Sequence, residues 1–357
     1  MVTGYFRRAY SSFAAHVLDI PPRLLALLLF ALLLSFPIVN PPRSILLILT
    51  TANLLAIFAT SWDLLVGRTG QISLGHALFF GIGTYTTGLL FSHLNWPIWV
   101  TVPLSVLVGF LAALLIGFPC LRVKGHYLAL VTMAFPIILI GLILYFKNIT
   151  GGDAGIWNLP RLFPFLPYEQ QYIAEYYLTL LLLFASGIIL YKIANSKTGI
   201  VMVSILDDEL ASKASGINIT KYKLMAFAIS GLFASLAGSV NAHLLTLRVA
   251  NIASLRLDLS FLVIVWTIFG GLGTIYGPIV GVYILQILDQ YVLTKIVDVP
   301  APWHYIIYSI IIIVFVIKWP RGLARFVTDK QEDLEEARDI DERGPKIWKR
   351  YKKKEKK

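Results

Sequence analysis

The sequence predicts an all-α polytopic membrane protein of about eight to ten transmembrane helices, with both termini in the cytoplasm. Three observations carry this. The residues AVILMFWYC make up 57% of the 357 positions and charged residues 14%, against roughly 45–50% and about 25% in soluble domains. A soluble fold of this length has too little interior to hide that much apolar surface. The apolar residues also fall in long runs, and a helix crossing a ~30 Å hydrocarbon core needs about 20 of them. Those runs lack the period-two alternation of barrel strands.

Taken in order, the runs are 20–39, 44–65, 72–93, 97–118, 125–146, 173–194, 223–245, 257–269, 276–293 and 303–319. The first is short and bounded by prolines. Segment 257–269 is too short to cross untilted and can join 276–293 through a Gly-rich stretch, so the count stays between eight and ten. Lys and Arg set the direction. With the N-terminus inside, only Arg43, Lys147, Arg161, Arg248, Arg256 and Lys295 of the 31 basic residues fall outside. The formal charge of +11 therefore reads as topology, and no nucleic-acid partner is expected. The chain divides into a cytoplasmic segment 1–19, a transmembrane domain 20–325 with a cytoplasmic loop 195–222, and a charged cytoplasmic tail 326–357. The basic end of that tail, 346–357, is either a solvated end or a contact to anionic lipid headgroups.

Enzyme chemistry finds no support. Nothing fits the GxxxxGK[ST] phosphate loop, GxSxG, HExxH or the kinase signatures. Six histidines lack ligand spacing, and the single cysteine, Cys120, excludes a multi-thiolate metal site. No catalytic residue, metal or cofactor is expected on this chain.

Three stretches carry chemistry. In the internal loop, 204–215 suits one short helix ended by Gly216. Asp207, Asp208 and Glu209 then sit near its positive end, Ala211 and Ser212 follow, and Ile205, Leu210 and Ala214 leave an apolar stripe. Such a helix rests on lipid or seats in another protein's groove. The second stretch, 67–83, puts Gln71, Ser73, Gly75, His76, Gly81 and Gly83 inside an apolar run. Small residues there serve close packing, or the helix is broken and its freed backbone lines a pathway. Asp63, near the cytoplasmic end with Arg68 in reach, reads as structural. The third, 269–278, holds Gly270, Gly271, Gly273, Gly277 and Pro278; Gly273, Gly277 and Gly281 form a GxxxGxxxG stripe, and Pro278 favours a kink. Packing and pathway both remain open. Gly-interrupted segments in both halves point to a duplicated transporter architecture.

These segments resemble the M-type permease subunits of ABC importers for branched-chain amino acids. The resemblance rests on RTGQISLGHALFFGIGTY (68–85), LRVKGHYLALVTM (121–133), TGGDAGI (150–156), the loop 207–216, YKLMAF (222–227), 270–281 and WPRGL (319–323), in that order. It covers about residues 50–325. Leu206 stands where the family usually has Arg, and His126 where Asp is common. The resemblance implies an ABC importer permease fold in the cell membrane. It implies an H-type permease partner, two cytoplasmic ATPases carrying ATP and Mg²⁺, and an external solute-binding protein. It makes 207–216 the loop that docks on an ATPase. Urea and short-chain amide importers use closely similar permeases. A gradient-driven transporter is the contrasting class, but it needs intramembrane acids, and Asp63, Glu175, Asp258 and Asp289 all sit near segment ends.

Overall fold

The computed structural model of the chain describes residues 30–323 apart from 32, 40, 124, 245–247, 297–300 and 319–321. The segment 1–19, most of the first apolar run and the tail 326–357 lie outside the described residues. Each of the other nine runs carries a helix.

The axis of the molecule is α1 (Arg43–Thr69). Its 27 residues rise about 40 Å. From Ala52 to Val66 every side chain is buried, as befits a mostly apolar helix at the centre of a bundle. After an irregular link come α2 (Ala77–Leu94), α3 (Ile98–Cys120) and α4 (His126–Tyr145). A single turn Lys147–Thr150 and strand β1 (Ile156–Trp157) lead to α5 (Tyr168–Ala194). Two short helices, α6 (Lys197–Asp207) and α7 (Glu209–Ala214), precede α8 (Ile219–Asn241). Strand β2 (Val249–Ala250) and a 3₁₀ turn Ile252–Leu255 follow. The described chain closes with α9 (Leu257–Gly270), α10 (Gly277–Ile287), a π-helical extension Leu288–Ile296 and α11 (Ala301–Lys318). Among the described residues α1, α3, α4, α5 and α8 are long and apolar enough to cross a membrane, and α9 is a shorter apolar helix.

In lipid, helices gain little from apolar contact as such, so close backbone approach matters more. The bundle achieves it through glycine. A Cβ on Gly83 of α2 would come within 2.1 Å of the Ser235 carbonyl of α8, and one on Gly238 of α8 within 1.9 Å of the Phe80 carbonyl. The α3–α8 seam closes the same way, with Gly231 against Ala113. Side-chain hydrogen bonds add to this. Asn53 of α1 donates to Thr179 of α5 at 3.0 Å and accepts from Tyr283 of α10. The outward faces of α3 and α4 expose Leu111, Leu115, Leu130 and Ile138.

β1 and β2 pair antiparallel, Ile156 with Ala250 and Trp157 with Val249; the apolar pattern gave no sign of either strand. His243 and Arg248 bind the same loop: His243 Nδ1 lies 3.0 Å from the Pro160 carbonyl, and Arg248 Nε donates to the Leu159 carbonyl at 2.8 Å.

Candidate functional site

The first helix break is shorter than the small-residue stretch suggested. α1 ends at Gly70, whose φ of 68° is left-handed, and α2 begins only at Ala77. Gln71, Ser73, Gly75 and His76 lie in the link, whereas Gly81 and Gly83 sit inside the unbroken α2, facing Leu255 and Ser235. Backbone outside a helix must find partners in the bundle interior. Trp62 Nε1 donates to the Ser73 carbonyl at 2.8 Å. The Leu74 N–H donates to Thr132 Oγ1 of α4 at 3.1 Å, and the Ala77 N–H to Ser260 Oγ of α9 at 2.9 Å. Gly75 is held by space: a Cβ there would stand 1.9 Å from the Thr132 carbonyl.

Gln71, Ser73 and His76 are all buried. Thr69 Oγ1 donates to the Leu65 carbonyl at 2.6 Å and lies 3.1 Å from Gln71 Oε1. Ser61 Oγ donates its one proton to the Phe58 carbonyl at 2.7 Å. It therefore accepts from His76 Nε2, 2.9 Å away, which fixes the tautomer. His76 Nδ1 is left as a bare acceptor. Nδ1 and Ser73 Oγ have no hydrogen-bond partner among the described residues.

The second break joins α9 to α10. Gly271 and Gly273 have φ of 123° and 80°, and Ile275, a β-branched residue, has φ 65°. A β-branched residue in that region is strained, so something must hold it. That something is Asp63. Its Oδ1 accepts from the Gly273 N–H at 2.6 Å and its Oδ2 from the Ile275 N–H at 2.9 Å. Gly67, one turn on, lets α1 approach: a Cβ there would meet Gly273 Cα at 2.5 Å. The glycine stripe is therefore split. Gly277 and Gly281 pack α10 on Gly270 and Trp266 of α9, while Gly273 lies in the turn against α1. Pro278 stands in the first turn of α10, where a missing N–H costs nothing.

Asp63 is 0% exposed and Glu175 1%, so their places near segment ends do not make them solvated. Asp258 is exposed and pairs with Arg256 at 2.7 Å. Sequence reading gave Asp63 a structural role but missed its partner, which lies 210 residues away. The available signal was a carboxylate inside a mostly apolar helix.

The internal loop departs from the single helix expected over 204–215. The chain breaks at Asp208, whose φ −151° and ψ 105° are extended. Asp208 becomes an N-cap: one carboxylate oxygen accepts from the N–H groups of Leu210 and Ala211 at 2.8 and 2.9 Å. Asp207 thus ends α6 and Glu209 starts α7. At the other end Gly216, φ 81°, closes a Schellman motif, with Ile217 N–H to Ser212 O at 3.1 Å and Gly216 N–H to Lys213 O at 3.0 Å. Ser212 Oγ ties α7 to the Ser204 carbonyl of α6 at 2.9 Å. Glu209 pairs with Lys223 of α8 at 2.8 Å. Ile205 does not join the exposed stripe: it is buried with Met202, and the open face carries Leu206, Asp207, Asp208, Leu210, Ala211 and Ala214. Leu206 also covers Gly70, where a Cβ would approach its Cδ1 to 2.8 Å.

A bundle of membrane-crossing helices, interrupted at two breaks, defines a multi-pass integral membrane protein. The chain belongs to the family of permease components of the branched-chain amino acid transport system, which it matches over residues 44–316. The high-affinity branched-chain amino acid permease LivM of Salmonella typhimurium is 29% identical over 287 residues, 74% of this chain and 66% of the relative. The probable LivM of Methanocaldococcus jannaschii is 24% identical over 233 residues, 63% and 67% of the two chains. The xylose permease XylH of Escherichia coli is 32% identical over 109 residues, 30% and 27%. This chain thus spans just under two thirds of the length of the first of these relatives. No solved structure matches the chain.

Proposed function

We propose that this chain is one permease subunit of an ABC importer that takes up branched-chain or related amino acids. It lines the translocation pathway jointly with a second permease. An external solute-binding protein delivers the solute, and two cytoplasmic ATPases, which bind ATP and Mg²⁺, supply the work. The observation that carries this reading is the doubly capped loop α6–α7. Its buried side anchors on α8 through Glu209 and Lys223, and its open side presents acidic and apolar groups together. A rigid lever of this kind transmits a partner's motion into the bundle. Polar atoms without partners among the described residues in the first break, His76 Nδ1 and Ser73 Oγ, supply what a hydrated solute path uses. The second break, pinned by Asp63, supplies a bend between α9 and α10.

A xylose permease is 32% identical over only 30% of this chain, so that shared segment tracks machinery more than solute. Urea or a short-chain amide is the alternative cargo. A gradient-driven mechanism needs a buried carboxylate that can bind its ion, and that of Asp63 is already engaged by backbone donors.

The test is reconstitution of the complex co-purified from native membranes. Two P-loop ATPases and a second permease are expected to accompany the chain. Asp208→Lys is expected to leave assembly of the permeases intact and to separate ATP hydrolysis from uptake. Normal ATP-driven uptake by that variant would remove the docking role from the loop.

A further inference from the structure

A groove of about 610 Å³ runs between α3 and the start of α8. Phe110, Leu114 and Phe118 form one wall, and Met225 and Ile229 the other. Its polar lining is confined to Asn218, Thr220 and Lys221, all at one end. That end is the one the charge distribution assigns to the cytoplasm. Eight residues of helix separate Phe110 from Phe118, and Lys221 from Ile229, so the groove runs about 12 Å. A single leaflet of a ~30 Å core has about that depth; a partner's spanning helix would need the whole thickness. The mouth is cationic. Lys221 forms no ion pair among the described residues, and the Arg122 guanidinium rests 5.8 Å over the Phe118 ring. The neighbouring Lys223 is already spent on Glu209.

Apolar walls one leaflet deep under an unpaired cation match one class of molecule. We propose that this groove holds an acyl chain of an anionic phospholipid from the cytoplasmic leaflet, with its headgroup on Lys221 and Arg122. Basic pockets between membrane helices on that side bind such headgroups. The lipid would fill the gap at the base of α8, next to the ion pair that anchors α7. The inference rests on the membrane placement alone, so it stands whether or not the transport reading does.

The test is native mass spectrometry of the full chain, in its native complex, released from nanodiscs of mixed phosphatidylglycerol and phosphatidylcholine. The wild type is expected to retain phosphatidylglycerol selectively. Lys221→Gln and Arg122→Gln are each expected to lower that selectivity roughly fivefold, and Lys197→Gln, an exposed cation elsewhere on the same end, to leave it unchanged. All three are surface changes, and an unaltered melting curve checks folding. Equal retention of both lipids by the wild type, or selectivity unchanged when Lys221→Gln and Arg122→Gln are combined, would overturn the proposal. Efficient cross-linking of a Phe118→Cys variant to a second protein chain would overturn it as well, by giving the groove a protein occupant.

Discussion

Asp63 shows how one buried group sets the shape of a distant segment. Two charge-assisted hydrogen bonds, each worth about 1.5–3 kcal/mol, hold a turn in which Ile275 carries a strained φ of 65°. Asp63→Asn keeps the size but offers one acceptor oxygen, leaving one N–H unpaired at about 1–3 kcal/mol. Hydrogen exchange in 271–277 is expected to accelerate while α1 stays protected; unchanged exchange would mean that packing alone holds the turn. Gly75→Ala tests the first break, because the added methyl meets a backbone carbonyl at 1.9 Å and backbone cannot swing aside. A loss of about 1–3 kcal/mol on unfolding is expected.

At the scale of elements, the short helix α7 depends on its ends. Six residues are too few to be helical by propensity, so the Asp208 cap and the Gly216 closure define it. Asp208→Ala removes the cap at about 1 kcal/mol, and the loss is expected to be local: faster exchange at 209–214 with little change in global melting. A large global change would place Asp208 in the core of the fold. The same elements mark what sequence can and cannot reveal. Long apolar runs need only composition, and nine of them became helices near their drawn bounds. Gly216 was readable as a cap because left-handed backbone leaves few alternatives to glycine. The break at Asp208 was not readable, since Val203–Ile205 and Leu210–Ala214 keep helical spacing across it and only the cap geometry interrupts them. Likewise the stripe Gly273, Gly277 and Gly281 has one spacing but two environments. Residue spacing carries no record of Asp63, 210 positions earlier.

For the molecule as a whole, the folded chain constrains its own orientation. The loop containing β1 and the loop containing α6 and α7 are joined by one helix, α5, whose 27 residues rise about 40 Å, so they lie on opposite faces of a ~30 Å core. α8 then returns across the bundle to β2. Because β2 pairs with β1, the path from β1 through α5 and α8 must cross an even number of times, which two crossings satisfy. Geometry thus fixes the relation of the loops, and the excess of Lys and Arg chooses which one faces the cytoplasm. Labelling checks both steps. Cys120 is 1% exposed and gives little background; replacing it with Ala removes the remainder. Asp153→Cys, on the exposed part of the β1 loop, is expected to react with an impermeant maleimide in intact cells. Lys213→Cys, on α7, is expected to react only after permeabilisation. Reversed accessibility would keep this fold and invert the protein in the membrane, which would remove α6–α7 from the reach of any cytoplasmic ATPase. Both sites labelled from one side would break the crossing of α5, and the architecture with it.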